Sequence, residues 1–438
     1  MSGFVGIIHR DGKPADRAFL ERLNASLSYR GPDEQQVWLS GHIGLGHASL
    51  RTTAEAEREH QPFTLDGNAW LVADARIDYR SELIRKLEEE DLTSNAPDAE
   101  LILRAYRRWG ATCAEHLVGD FSFAIWDAKE KTLFCVRDHF GVKPFFYAEC
   151  GPTVLFSNDL NCLRSYPPLS QDLDEPALVD FIVFGHNRTL ESTAFSAIRR
   201  LAPAHAMQIQ SERIRSWRYW TLPVSEEIRY AKTSEYTEHF REKFSVAIAN
   251  RMRATRASSF MSGGLDSTAI TALAVQHARK VQPAIDLLAL TCFEDIAGPD
   301  QEQTYAELSA DFLRVPNEQI CLNGFEAFDQ QGPTQRQPPE PHDDPFVAGP
   351  LAVRRRAAQH SRTVLTGYGG DAALFASNKP LGDWSPFSLM FTSLKLLFAQ
   401  RRVPRLGFRT AFRKHVLGKR PPEIGPPGWL RTNHAVHL

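Results

Sequence analysis

The chain has 438 residues, 42% hydrophobic and 24% charged, so it can bury the cores of two or three soluble domains. Its net charge of −2 gives no global drive toward nucleic acid or a membrane surface. No apolar run is long enough to span a bilayer, and no charged segment leads into an apolar one as in a secretory leader, so a cytoplasmic protein is expected.

In chain order, the first half reads as many short strands with few helices. Residues 4–8 are an apolar strand, and Phe19, Leu20, Leu23 and Leu27 mark one helix face. Further strands are expected over 37–39, 43–45 and 70–72, with a second helix over 97–109. Residues 119–127 place apolar side chains on one alternating face, a charged turn follows, and 133–136 returns as a hairpin. Helices packed on sheets are the expected architecture. Cys113, Cys135, Cys150, Cys162, Cys292 and Cys321 form no Cys-x-x-Cys pair, and His9, His42, His47 and His60 fit no ligand spacing, so no zinc site is expected.

Residues 222–232 lack periodicity and read as a linker. Phe240, Phe244, Ile248 and Met252 then recur every four residues, an amphipathic helix. Phe260 and Met261 lead into Ser262, Gly263, Gly264, Leu265, Asp266 and Ser267, and Ile270, Leu273, Ala274, Ala278 and Val281 continue in a helical pattern. Strand, glycine turn and helix start form a setting in which backbone N–H groups gather around an anion. Asp266 adds a carboxylate of the kind magnesium prefers. No Walker lysine follows, so this is not a Gly-x-x-x-x-Gly-Lys-Ser/Thr loop.

Residues 285–292, which include Thr291, are almost wholly apolar, as expected of a buried parallel strand. A helix is expected over 302–313 and a short strand at 364–365, followed by Thr366-Gly367-Tyr368-Gly369-Gly370-Asp371. This alternation suggests a doubly wound α/β domain whose ligand lies at the carboxyl ends of its strands, where Ser262 and Thr366 both fall. Residues 333–350 are rich in proline and acids and read as a loop over the acceptor site. Residues 384–422 carry nine Lys/Arg and no acid, interleaved with Leu396, Leu397, Phe398, Phe408 and Phe412; they read as amphipathic helices on the core or as a basic surface for a peptide.

The six-residue loop and the 366–371 segment resemble the two signatures of the asparagine synthetase superfamily. Residues 29–33 (Tyr-Arg-Gly-Pro-Asp), 119–124 (Gly-Asp-Phe-Ser-Phe-Ala), 137–144 (Arg-Asp-His-Phe-Gly-Val-Lys-Pro) and 156–159 (Phe-Ser-Asn-Asp) are similar to its glutamine-hydrolysing domain in order and spacing. The resemblance implies an Ntn-hydrolase-like αββα glutamine amidotransferase-type domain over 2–215 and a linker over 216–233. It further implies an adenine-nucleotide α-hydrolase-like PP-loop synthetase domain over 234–438, incomplete at its end. It also implies ATP and Mg2+ as cofactors. ATP would sit on Ser262, Gly263, Gly264, Leu265, Asp266, Ser267, Thr291 and Gly367, and the metal on Asp266 and Asp371.

Against that pattern the N-terminal domain departs at several points. In the family, removal of the initiator methionine exposes a cysteine that attacks the glutamine amide; here Ser2 stands there, a far weaker nucleophile. The glutamine-clamping arginine falls on Ser49 and the Asn-Gly-Glu segment on Asp74-Ala75-Arg76, and of the site's carboxylates only Asp98 has a counterpart. A glutaminase-inactive domain is expected, acting as a structural partner or as a surface for another protein. Tyr368 replaces the glutamate of asparagine synthetases, as in the β-lactam synthetases, whose tyrosine is paired with a glutamate as base. Lasso-peptide cyclases share a similar loop. Tyr368 therefore reads either as a catalytic base or as a packing residue whose hydroxyl caps a turn.

The expected activity is that of an ATP-dependent amide-bond-forming ligase. It would activate a small-molecule or peptide carboxylate as an acyl-adenylate and close a lactam or macrolactam with an amine of the same substrate. The alternatives are asparagine synthetase-type amidation of aspartate with ammonia, and a non-catalytic or partner-dependent nucleotide-binding homologue. The family pattern continues past Trp429-Leu430 with further helices, a lysine and a His-Pro-Phe-Leu-Asp-like segment. None occurs before Leu438, so a protein partner completing the domain is also expected.

Overall fold

The computed structural model describes residues 1–370 apart from 211–212, 224–227, 282–284, 295–300, 327–337, 343 and 345–346. Met1–Thr366 form one compact unit and Gly367–Leu438 a second. The first half contains β1 (Gly3–His9), α1 (Arg17–Ala25), β2 (Glu34–Ser40), β3 (Ile43–Ser49), β4 (Phe63–Thr64), β5 (Ala69–Ile77), α2 (Arg80–Leu87) and α3 (Asp98–Trp109). Next come β6 (Gly119–Asp127), β7 (Thr132–Arg137), β8 (Phe146–Cys150), β9 (Thr153–Ser157), α4 (Leu160–Arg164), α5 (Glu175–Phe184), β10 (Arg199–Arg200), β11 (His205–Ile209) and β12 (Ile214–Arg218). The second half adds α6 (Thr233–Arg251), β13 (Arg256–Phe260), α7 (Leu265–Ala278), β14 (Asp286–Phe293), α8 (Gln301–Leu313), β15 (Asn317–Cys321), α9 (Ala348–His360) and β16 (Val364–Leu365).

Two six-stranded antiparallel sheets, ordered β10-β8-β9-β1-β3-β2 and β12-β11-β7-β6-β5-β4, form the first half. Phe4, Ile43, Leu45, Val72, Trp126 and Phe156 fill the layer between them. Leu20 and Leu23 of α1 and Leu163 of α4 cover the outer face of one sheet, and Leu83 of α2 with Leu101 and Ile102 of α3 cover the other. The result is the αββα layering that the resemblance implies. Strands covered on both faces are buried along nearly their whole length, as β1, β3 and β7 are. Gly6 permits the close packing here, because a Cβ on it would lie 2.0 Å from the ring of Phe156.

The alternating pattern over 119–136 folds as the expected β6–β7 hairpin, with Ser122 opposite Arg137 and Asp127 opposite Thr132. β12 pairs with β11 as far as Arg218, so the chain is still held in a sheet where the linker was expected to begin.

The second half is built on a parallel sheet ordered β15-β14-β13-β16, with α6 to α9 packed around it. Ile248, Met252, Ala257, Ala274, Leu287 and Leu365 form its core. Ile248 is the one buried residue of α6 and Met252 is buried just past its end, whereas Phe240 is 50% exposed. Asn317–Cys321 was not anticipated as a strand; it is a polar edge strand without an apolar run. Among the described residues no helix is long and apolar enough to cross a membrane.

Candidate functional site

β13 lies between β14 and β16, so its carboxyl end opens at the middle of the sheet edge. Met261, the last buried residue, donates its N–H to the Leu290 carbonyl at 2.9 Å and accepts at its own carbonyl from the Thr291 hydroxyl at 2.8 Å. The chain then turns away at Ser262. Its N–H donates to the Ser267 hydroxyl at 3.1 Å, and the two hydroxyl oxygens lie 3.0 Å apart. Gly263 has φ +78° and presses on α8: a Cβ would fall 2.5 Å from the Glu302 carbonyl oxygen and 2.7 Å from the Ala306 nitrogen. That turn needs glycine.

Gly264 caps α7, which starts at Leu265. The first-turn N–H groups of a helix have no intrahelical partner and carry its positive dipole end. Leu265 is 90% exposed and Gly264 is exposed, so this end is open to solvent, with Asp266 half-exposed at its rim. The turn, two hydroxyls and an open helix start form a cradle suited to a phosphate chain, and Asp266 is a carboxylate suited to a divalent cation.

Thr291, expected among the nucleotide-binding residues, is fully buried; its hydroxyl donates to the Met261 carbonyl at 2.8 Å and lies 3.0 Å from Asn317 Oδ1. Gly367 begins the second unit, where Gly369 has φ +84°, the Gly370 N–H donates to the Gly367 carbonyl at 3.1 Å, and Tyr368 is 87% exposed. Asp371, residues 333–337, 343 and 345–346 of the expected loop, and all of 384–422 lie outside the described residues. Among the described residues no three metal-ligating side chains cluster.

A second cavity, of about 230 Å³, lies at the start of β1 and is lined by Ser2, Asp74, Arg76, Asp98, Lys143 and Arg362, among others. The Ser2 hydroxyl accepts the Leu50 N–H at 3.1 Å, and burial pushes the Met1 amine down to about 6. Ser49, where the family carries its clamping arginine, shares a 3.1 Å hydrogen bond with His47, whose other ring nitrogen meets the Ala73 carbonyl at 3.0 Å. Asp74 is held by Lys143 at 2.9 Å and Arg30 at 3.6 Å. Burial, and then the charge of Asp98, push Glu59 up to about 7.

Asp98 itself is engaged. It pairs with Arg80, accepts the Ile77 N–H at 3.1 Å, and pairs with Arg253 at 2.8 Å. Arg253 comes from the second half of the chain, two residues beyond α6. Burial works against its charge, yet Asp98 together with Glu55 and Asp78 outweighs it and the pKa is raised. Arg76 donates to the carbonyls of Asn250 and Arg251 at the end of α6. Arg251 pairs with Asp78 at 2.9 Å and with Asp120. Sequence reading missed this cluster. Its one local signal is an arginine at 76 where the family pattern has a glutamate.

Another cavity, of about 810 Å³, lies at the amino ends of β13 and β16, lined by Arg51, Arg253, Arg256 and Arg362 among others. The glycine turn over residues 262–267 is at the opposite end of β13.

An αββα amidotransferase-type layer followed by a parallel sheet with a glycine turn at a helix start defines a two-part, amidotransferase-plus-synthase class of protein. The glutamine amidotransferase domain family matches residues 1–220 and the asparagine synthase family residues 239–421. The chain belongs to the asparagine synthetase superfamily. It is 32% identical over 272 residues to asparagine synthetase [glutamine-hydrolyzing] 3 of Bacillus subtilis, covering 60% of this chain and 44% of that protein. It is 26% identical over 336 residues to asparagine synthetase [glutamine-hydrolyzing] 2 of the same organism, covering 73% of this chain and 44% of that one. The chain thus spans less than half the length of these two relatives. Among solved structures, a glutamine phosphoribosylpyrophosphate amidotransferase from B. subtilis aligns with TM-score 0.37 and 12% identity, covering 83% of this chain and 90% of that one.

Proposed function

We propose that the chain is an ATP-dependent amide-bond-forming ligase. It activates the carboxylate of a small molecule or peptide as an acyl-adenylate, releases pyrophosphate, and joins the acyl group to an amine of the same substrate with release of AMP. The observation that carries this reading is the glycine turn at the carboxyl end of β13, with two serine hydroxyls 3.0 Å apart at the open start of α7. Ser262, Gly263, Gly264, Leu265 and Ser267 offer donors for the phosphates, and Thr291 holds the turn from beneath. Asp266 is assigned as a magnesium ligand; the ion supplies neutralisation of phosphate charge.

An internal amine as acceptor is supported by the first half. With Ser2, Ser49, Asp74 and Arg76 where nucleophile, clamp and glutamine-site residues stand in the family, glutamine is not a source of ammonia here. Tyr368 is assigned as the base for the amine on the resemblance alone, as are Gly367 at the nucleotide and Asp371 at the metal.

The test is pyrophosphate release from Mg-ATP, with aspartate plus ammonium and, separately, peptides encoded beside the gene as substrates. Release that depends on a peptide and disappears in Asp266→Ala supports ring closure. Release with aspartate and ammonium alone would move the activity to asparagine formation. Bound ATP without release under any condition would leave a nucleotide-binding protein or one that needs a partner chain.

A further inference from the structure

We infer that the retired glutamine pocket now anchors the helix–strand corner that leads into the nucleotide turn. The inference rests on the reading above that this turn takes ATP and that the pocket no longer serves glutamine.

The anchor is a cluster of charges. Arg76 and Arg80 from the first half and Arg251 and Arg253 from the second meet Glu55, Asp78, Asp98 and Asp120, with Glu59 beside Asp98. Arg76 and Arg253 do the most specific work. Arg76 donates to two carbonyls in the last turn of α6, where a cation meets the negative end of the helix dipole. Arg253 grips Asp98 through both Nη atoms, at 2.8 and 3.3 Å, and reaches Glu55 at 3.6 Å. The Asn250 side chain also accepts the Tyr79 N–H at 2.9 Å. The side chains of Asp98 and Arg80 are 9% and 8% exposed and that of Arg253 is 13% exposed, so these charges are poorly screened and removing one leaves its partner desolvated.

This cluster sits at the amino end of the strand whose carboxyl end makes the nucleotide turn. Arg253 lies three residues before β13 and Ser262 two residues after it, and β13 itself spans about 17 Å in five extended residues. The neighbouring strand is tied in the same way. Arg362, two residues before β16, pairs with Asp33 and donates to the Arg51 carbonyl at 3.0 Å. β13 and β16 are hydrogen-bonded neighbours, so fixing both amino ends on the first half fixes the depth at which Ser262 and Thr366 emerge. Arg76 and Arg253 are thus positioning residues for a site they do not touch. The same contacts exclude an amino acid, because the one family carboxylate left in the pocket already holds two arginines.

The experiment uses the full chain carrying Asp98→Asn, Arg253→Met, both together, and Arg253→Lys. Affinity for Mg-ATP is read by calorimetry, and amide hydrogen exchange is followed over residues 256–267 and, as an internal reference, over the β6–β7 hairpin. Each neutralising variant is expected to weaken Mg-ATP binding about threefold to tenfold. The double variant should be no worse than the worse single one, and Arg253→Lys should recover part of the loss. Exchange over 256–267 should speed up while the hairpin is unchanged. Additive losses, or unchanged exchange over 256–267 in every variant, would overturn the anchor. If the unmodified chain binds no Mg-ATP, the ligase reading fails, and the exchange data still decide whether the corner is anchored.

Discussion

The Thr291 hydroxyl donates to the carbonyl of Met261 at 2.8 Å, tying β14 to the residue that joins β13 to the glycine turn. The same oxygen meets Asn317 Oδ1 of β15 at 3.0 Å, so one buried hydroxyl links three strands. Thr291→Val keeps the shape and leaves the Met261 carbonyl without its hydroxyl donor, which costs about 1–3 kcal/mol. We expect a lower melting temperature together with weaker Mg-ATP binding, both restored in Thr291→Ser. Weaker binding at unchanged stability would instead put the hydroxyl on the nucleotide.

Gly263 and Gly264 separate two kinds of glycine. Gly263→Ala forces a side chain into φ +78° and to within 2.5 Å of the Glu302 carbonyl, a strain of about 1–3 kcal/mol. Gly264→Ala meets only the Ser262 hydroxyl at 3.3 Å and stays within about 0.5 kcal/mol. Nucleotide titration and thermal melts of the two proteins should differ accordingly, with binding lost in the first and retained in the second.

The layers of the fold were legible where chemistry is local. Alternation over 119–136 specified a hairpin, and Phe260 through Ser267 specified strand, turn and helix in consecutive residues. What escaped was non-local or weakly patterned. Arg253 meets Asp98 across 155 positions of sequence, and no periodicity encodes that pairing. Arg76 read only as a lost glutamate, whereas its gain is visible once the end of α6 lies beside it. Asn317–Cys321 escaped because an edge strand needs no apolar run. Thr291 sits at the carboxyl end of its strand, where ligands gather, but its side chain turns into the sheet.

Ser2→Cys is not expected to restore glutamine hydrolysis. A thiol at position 2 would supply the nucleophile alone: Ser49 offers no guanidinium, Asp74 places a carboxylate where the family has an amide, and Asp98 is engaged by Arg80 and Arg253. Glutamate formation from glutamine should stay at background in a coupled dehydrogenase assay. Turnover in this variant would show that the pocket still admits an amino acid.

His47 gives the first half an acid-sensitive point. It is 1% exposed, and burial pushes its pKa from the ordinary 6.5 down to about 4. The folded protein therefore binds fewer protons than the unfolded chain between those two values, so stability falls as pH drops through that window and is fully present above 6.5. At about 1.4 kcal/mol per pKa unit, the loss over the window is about 3 kcal/mol. Its two ring nitrogens face the Ala73 carbonyl and the Ser49 hydroxyl, an arrangement that a neutral ring satisfies by donating to the one and accepting from the other. Protonation would turn the accepting nitrogen into a donor beside a hydroxyl that must then reorient. His47→Gln keeps a donor and an acceptor but cannot titrate. It should be less stable than the unmodified chain at pH 7.5 and should lose less stability between pH 6.5 and 4, as measured by urea unfolding across that range. Parallel pH profiles for the two proteins would assign the acid sensitivity to another group.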